Sequence, residues 1–141
     1  MEFTRRETLA IGAGAAAVSL MPLQAFADQA ETDAVVAEYA AGGAITDGGV
    51  ELTTPEIAEN GNTVPISVSA PGAASILILA SGNPSPKVIE FMFGPLAGSQ
   101  SASSRVRLAG TQDVIALAKM PDGSIRRGVS TVKVTIGGCG G

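Results

Sequence analysis

The chain has 141 residues, with 9 lysines and arginines against 13 aspartates and glutamates, so its formal net charge is −4. This length suits one domain, and the acidic balance disfavours binding to a phosphate backbone. Histidine is absent and there is one cysteine. A Ser-His-Asp triad, a Cys-His pair, a histidine metal site and an internal disulfide are therefore excluded.

The first 27 residues predict an export signal. The pair Arg5 and Arg6 is typical of the twin-arginine signal, and a short apolar stretch rich in glycine and alanine follows it. Ala25, Phe26 and Ala27 then supply the small-x-small pattern of a signal peptidase site. We expect cleavage after Ala27 and export of the folded protein to the periplasm. The alternative is an N-terminal membrane anchor.

Residues 31–41 predict a short helix at the start of the mature chain. This stretch is rich in alanine and glutamate, and Val35, Val36 and Tyr39 share one face at helical spacing. Gly42 follows directly, and a glycine there favours the end of a helix. The alternative is a loose N-terminal arm.

From residue 49 onward the hydrophobic pattern changes to a period of two, which is typical of β-strands. Turn signals rich in glycine, proline and asparagine separate the apolar runs. Because no long helical segment lies between the strands, residues 28–136 are predicted to form an all-β, Ig-like antiparallel β-sandwich. The seven predicted strands centre on residues 50–52, 64–68, 76–79, 89–93, 105–108, 114–118 and 132–136.

Three of these strands carry more specific expectations. Residues 76–79 are continuously apolar, which predicts a strand buried on both faces. Arg105 and Arg107 alternate with apolar neighbours, so their strand is expected to have one solvated face. Pro65 lacks a backbone donor, which places it at a sheet edge or a bulge.

The last five residues are Gly137, Gly138, Cys139, Gly140 and Gly141. Glycine adopts both signs of φ freely, so residues 137–141 are predicted to form a flexible tail. Three residues of extended chain carry the sulfur roughly 10 Å beyond the last strand. The glycines also leave the thiol free of neighbouring side chains.

Nothing in the sequence near Cys139 activates its thiol. The nearest cation in sequence is Lys133, and the terminal carboxylate of Gly141 lies closer. A self-sufficient nucleophile needs a base and an oxyanion site nearby. We therefore expect Cys139 to be a covalent attachment point on a non-catalytic carrier, with no bound cofactor and no metal. The alternatives are an intermolecular disulfide between structural modules and a thiol enzyme acting alone.

The chain resembles the SoxY family, the sulfur-carrier subunits of the bacterial Sox system for thiosulfate oxidation. The resemblance covers nearly the whole chain and is most specific over residues 132–141, which end in the Gly-Gly-Cys-Gly-Gly sequence. Residues 59–66, the turn at Asn83 and Pro84, and the twin-arginine leader add to it.

The resemblance implies a set of partners. A SoxZ-like subunit would form a heterodimer with this chain and be exported with it. The haem enzyme SoxAX would join thiosulfate to Cys139, and the hydrolase SoxB would release the terminal sulfonate as sulfate, which leaves a persulfide. In some organisms a SoxCD-like sulfane dehydrogenase oxidises the remaining sulfur. A disulfide-linked homodimer is a further possible association, whereas nucleic acid and, for the mature form, membrane are not expected partners.

Overall fold

The computed structural model of the protein describes residues 24–137, with side chains from residue 29 onward. The described residues form one helix followed by nine strands. These are α1 (Gln24–Ala40), β1 (Ile45–Asp47), β2 (Glu51–Thr53), β3 (Ile57–Ala58), β4 (Val64–Ser69), β5 (Ser75–Ala80), β6 (Lys87–Met92), β7 (Ser101–Val106), β8 (Gln112–Lys119) and β9 (Ile125–Val134). Within this part of the chain no helix is long and apolar enough to cross a membrane.

The strands form two sheets that pack face to face. The larger sheet has the order β1-β9-β8-β5-β6, and the smaller sheet has the order β2-β4-β7. Paired strands are antiparallel, except that β1 and β3 run parallel to β9. Strand β1 pairs with the start of β9 and β3 with its end, so both lie along the edge of β9 that β8 leaves free. The predicted Ig-like β-sandwich is confirmed.

Aliphatic side chains fill the space between the two sheets. On β4, Val64, Ile66 and Val68 point into this core, whereas Pro65 and Ser67 lie on the outer surface. Burial of one such side chain contributes about 1.5–3 kcal/mol. The alternation along the strands is therefore what fixes which face of each sheet turns inward.

Helix α1 covers the outer face of the larger sheet. Val35, Val36 and Tyr39 all contact one apolar cluster, which confirms their predicted common face; its sheet residues include Leu77, Leu79, Leu117 and Ile125. The Tyr39 hydroxyl also hydrogen-bonds with Ser75 Oγ at 2.6 Å. Because α1 covers one face of β5 and the smaller sheet covers the other, all six residues of β5 are buried. The apolar run at 76–79 predicts this double burial.

The helix begins earlier than the sequence pattern predicts. It spans Gln24–Ala40 instead of residues 31–41, and the expected cleavage point after Ala27 falls within its first turns. Residues 24–30 are rich in alanine and glutamine, which favour a helix. At the other end, Ala41 and Gly42 adopt positive φ angles of 48° and 81°, which end the helix at the predicted place.

All seven predicted strands are present, and two more escape the sequence pattern. Strands β1 and β3 are only three and two residues long, and their isoleucines are exposed, so no alternation marks them. Strand β7 spans Ser101–Val106 instead of residues 105–108, because serines occupy most of its outward positions and hide its beginning. Pro65 lies beyond the part of β4 that pairs with β2, where β7 is the strand partner, and this matches the predicted edge position.

Candidate functional site

The predicted attachment residue, Cys139, lies outside the described residues. The structure shows how the domain holds the residues that precede it. Gly137 is the member of the predicted tail that the structure describes. We call residues 134–137, which are the last residue of β9 and the three residues after it, the tail root. The predicted residues outside the described range are Gly138, Cys139, Gly140 and Gly141, together with Arg5 and Arg6 of the export signal.

One side of the tail root is held by β3 and the turn that follows it. The Thr135 N–H donates to the Ala58 carbonyl at 3.0 Å, and the Gly61 N–H donates to the Ile136 carbonyl at 2.8 Å. The Thr135 hydroxyl donates to the Glu59 carbonyl at 3.1 Å. Two of these bonds join backbone groups and the third uses the Thr135 hydroxyl, so they hold the tail root while residues 135–137 stay exposed.

Residues 107–111, which we call the β7–β8 loop, hold the other side of the tail root. The Val134 N–H donates to the Thr111 hydroxyl oxygen at 3.0 Å. Gly137 lies so close to this loop that a Cβ added to it would be 2.4 Å from the Ala109 carbonyl oxygen. The Leu108 N–H donates to the Gly61 carbonyl at 2.8 Å, so the loop is also bonded to the turn on the opposite side.

Two buried amide side chains fix the β7–β8 loop. Asn83 donates through Nδ2 to the Arg107 carbonyl at 2.8 Å, and its Oδ1 accepts from the Ala109 N–H at 2.9 Å. Gln112 donates through Nε2 to Asn83 Oδ1 and to the Gly110 carbonyl, both at 3.0 Å. Among the described residues no buried side-chain polar atom lacks a partner. A fully bonded buried network of this kind favours one arrangement of the loop.

The groups that hold the tail root are neutral. The bonds described above join backbone amides, carbonyls, hydroxyls and side-chain amides, and none of these groups is a proton-transfer residue at neutral pH. In the described part of the chain, no three side chains of the histidine, cysteine, aspartate or glutamate type come together as metal ligands. The arrangement can position a segment of backbone.

A shallow groove of about 440 Å³ lies beside the loop, between β6 and β7. Lys87, Arg105 and Arg107 line it together with Asn83. Lys87 forms an ion pair with Glu90 at 3.6 Å, and Arg105 donates to the Thr63 hydroxyl at 3.5 Å. The predicted solvated face of the two arginines is confirmed, since both are exposed.

The model of the family described as sulfur oxidation protein SoxY matches residues 34–139. The chain belongs to the SoxY family. The solved structure of the sulfur carrier protein SoxY from Chlorobium limicola f thiosulfatophilum is 34% identical in sequence, with a TM-score of 0.67. That match covers 76% of this chain and 98% of the Chlorobium SoxY chain. No curated protein matches the chain.

Superoxide reductases share the sandwich with this SoxY-family chain at low identity. The neelaredoxin from Ignicoccus hospitalis is 13% identical with a TM-score of 0.57, and the match covers 64% of this chain and 94% of that one. A putative superoxide reductase from Thermotoga maritima is 15% identical with a TM-score of 0.51, over 68% of this chain and 89% of that one. These likenesses indicate a common fold.

The sequence pattern identified the tail but not the residues that hold its root. Asn83 and Gly61 both fall in segments predicted as turns, and their turn-forming character was the signal available. Gln112, Thr111 and Ala109 carry no such signal, because their role depends on the folded loop lying next to β9.

Proposed function

We propose that the protein is a periplasmic carrier that holds thiosulfate-derived sulfur intermediates covalently on Cys139 and presents them to sulfur-oxidising enzymes. Membership of the SoxY family and the likeness to a sulfur carrier protein support the carrier role. The observation that carries the proposal is that the family match extends to residue 139, which is the one cysteine of the chain.

The proposed loading step is an oxidation. The thiolate of Cys139 and the outer sulfur of thiosulfate form a disulfide-type bond and release two electrons, which gives Cys-S-S-SO3⁻. A SoxAX-like haem enzyme accepts these electrons. A SoxB-like hydrolase then adds water to the sulfonate, which leaves as sulfate while a persulfide remains on Cys139. A SoxCD-like enzyme continues the oxidation where it is present.

The neutral surroundings of the tail root agree with a carrier that leaves the chemistry to its partners. The contacts to residues 134–137 come from amides, carbonyls and hydroxyls. In this proposal the protein contributes position and reach, and each enzyme contributes its own acid, base or redox group. Glycines on both sides of Cys139 let a narrow active-site channel admit the tail.

The proposed route to the periplasm uses the twin-arginine signal. Arg5 and Arg6 would direct the folded chain, paired with a SoxZ-like subunit, across the membrane. Fractionation of cells that produce an Arg5→Lys, Arg6→Lys variant measures this, and we expect the variant to accumulate in the cytoplasm. A variant that still reaches the periplasm contradicts the proposed route.

The carrier role is tested with Cys139→Ser. We expect mass spectrometry of wild-type protein from thiosulfate-fed cells to find sulfur-containing adducts on the C-terminal peptide, and thiosulfate oxidation to be lost in the variant. Ser99→Ala, an exposed-loop change that keeps the thiol, is the matched control and should be loaded like the wild type.

Two other outcomes would overturn the proposal. A dimer that reductant separates, with no adduct mass on the C-terminal peptide, identifies a structural module that uses Cys139 for a disulfide. Thiol-dependent turnover by the purified protein alone identifies an enzyme. A Cys139→Ser variant that still supports thiosulfate oxidation also removes Cys139 as the attachment site.

A further inference from the structure

Gly137 belongs to the predicted flexible tail and is exposed, but one backbone carbonyl of the domain lies very close to it. A Cβ at this position would lie 2.4 Å from the Ala109 carbonyl oxygen and 3.4 Å from the Ala109 carbonyl carbon. The first distance is well below 3.0 Å, a separation that real Cβ atoms essentially never have from another heavy atom. A glycine is therefore required here for close approach of two backbone segments, and not only for freedom of rotation.

This constraint is not shared by every glycine near the surface, although Gly43 has a similar one, where an added Cβ would lie 2.2 Å from the Gly123 carbonyl oxygen. A Cβ added to Gly94, Gly98 or Gly110 meets nothing within 4 Å. Gly110 is especially informative because it lies one residue beyond Ala109 in the same loop. The steric requirement thus belongs to the contact between Gly137 and the loop, and not to glycine in this region generally.

The segment that Gly137 approaches cannot move away easily. The Ala109 N–H is bonded to Asn83, and the neighbouring carbonyls of Arg107 and Gly110 accept bonds from Asn83 and Gln112. Both amide side chains are buried, with 6% and 8% of their surfaces exposed. Displacing the Ala109 carbonyl would break bonds of buried groups, which is costly.

We infer that Gly137 is the fixed origin of the tail, held between the β7–β8 loop and the turn at Gly61, and that Asn83 is a positioning residue for it. This inference rests on the proposed carrier function of Cys139. The length of tether between the domain and Cys139 is then counted from Gly137 and not from the end of β9. A shorter free tether confines the thiol to a smaller volume and raises its effective concentration at the pocket of a docked enzyme.

The test compares Gly137→Ala with Gly110→Ala in the full chain. The added methyl group at Gly137 pushes the root off the Ala109 carbonyl, so the Gly61 amide, which donates to the Ile136 carbonyl at 2.8 Å, should exchange its hydrogen faster. Gly110→Ala, with open space around its methyl group, should leave the exchange at Gly61 unchanged. Amide exchange followed by NMR measures this without any enzyme.

The functional arm measures how fast a SoxAX-like enzyme loads thiosulfate onto each variant. A displaced origin should slow loading in Gly137→Ala by roughly tenfold to a hundredfold, as for a misplaced reacting group. The reaction of Cys139 with a small thiol reagent should stay at the wild-type rate, because it needs only an accessible sulfur. A merely structural defect would also lower the unfolding temperature, so thermal unfolding is recorded for both variants.

A second variant protects the test if Gly137→Ala fails to fold. Thr111→Val keeps the shape of the side chain and removes the hydroxyl that accepts the Val134 N–H at 3.0 Å. We expect a smaller change in the same direction for both exchange and loading. The inference is overturned if Gly137→Ala and Thr111→Val both keep the wild-type exchange rate at Gly61 and the wild-type loading rate. If Cys139 of the unmutated protein is not loaded at all, the carrier proposal is overturned instead, and the exchange result still tests the contact at Gly137.

Discussion

Strand β5 and the tail root are held in the fold by different kinds of interaction. Every side chain of β5 is buried, and Ile76, Ile78 and Leu79 have no exposed surface. In the tail root, Ile136 is 67% exposed, and the attachments are hydrogen bonds between backbone groups or between backbone and threonine hydroxyls, with one close backbone contact. β5 is stabilised by apolar burial, whereas the tail root is fixed by hydrogen bonds and by space that admits no extra atom.

This difference separates stability from positioning. Removing atoms from β5 leaves a cavity between well-packed layers, which costs folding free energy. Removing atoms from an exposed side chain of the tail root leaves its backbone bonds intact. Adding atoms does affect the tail root, because one methyl group at Gly137 would clash with the Ala109 carbonyl. The domain can therefore stay stable while the position of its terminal segment changes.

The largest effect expected from this comparison is at Leu79. Leu79→Ala should lower the free energy of unfolding by about 2–5 kcal/mol, because Leu79 is fully buried between β5 and helix α1. Ile136→Ala, its matched control in the tail root, should change it by less than about 0.5 kcal/mol. Urea unfolding with a common m-value measures both. Equal losses would mean that the exposed root contributes to the core, contrary to the comparison.

The sequence was informative wherever the burial of side chains leaves a pattern along a strand, either alternating or continuous. The alternation of Val64, Ile66 and Val68 predicted a strand, and the run at 76–79 predicted a strand covered on both faces, because in each case a side-chain pattern records the environment. Strands β1 and β3 left no such record. Apart from the buried Ala58, their side chains are exposed, and their parallel pairing with β9 depends on segments that are distant in sequence.

The candidate site divides in the same way. The role of Cys139 stays a prediction, because this residue lies outside the described residues. The surroundings of Gly137 could not be predicted, because they depend on a carbonyl of Ala109 that is 28 positions away in sequence and on the buried bonds of Asn83 and Gln112. Backbone contacts of this kind carry no residue-type signature.

A medium effect is expected at Tyr39, which covers the outer face of β5. Burial raises the pKa of its hydroxyl above the usual 10.0, and the hydrogen bond with Ser75 opposes this only in part. At pH values between the unfolded-state and folded-state pKa of Tyr39, the phenol is therefore neutral in the folded state and ionised in the unfolded state. The stability that this provides is complete below pH 10.0 and is lost as the pH rises through the higher folded-state pKa.

Ultraviolet absorbance measures this directly, because the chain has one tyrosine and no tryptophan. We expect phenolate to form in the folded protein at higher pH than in the urea-unfolded protein. In Tyr39→Phe this alkaline loss of stability should be absent, and the free energy of unfolding at neutral pH should fall by about 1 kcal/mol for the missing hydrogen bond. Ionisation of folded Tyr39 at the unfolded-state pH would show that α1 leaves the outer face of β5 open to water.

The smallest effect concerns the ion pair that links β1 to the start of β9, at the end of that edge opposite the tail root. Arg127 Nε donates to Asp47 Oδ1 at 2.7 Å, and this bond and the arginine charge lower the pKa of Asp47. The stability from the pair is present above the usual carboxyl pKa and is lost as the pH falls through the lowered one. Asp47→Asn should therefore be slightly less stable than the wild type at neutral pH and equal to it in acid.

The solvent exposure of the ion pair determines how much it contributes to the free energy of unfolding. The Asp47 side chain is 75% exposed, so water and salt screen the attraction, and the difference from wild type should shrink further in high salt. Glu31→Gln, which removes an exposed carboxylate of α1, is the control with the same charge change and should keep the wild-type stability at neutral pH. If Asp47→Asn instead matches Leu79→Ala in its loss of stability, the free edge of β9 depends on this ion pair. Backbone pairing would then not be what holds the short strands and the tail root in place.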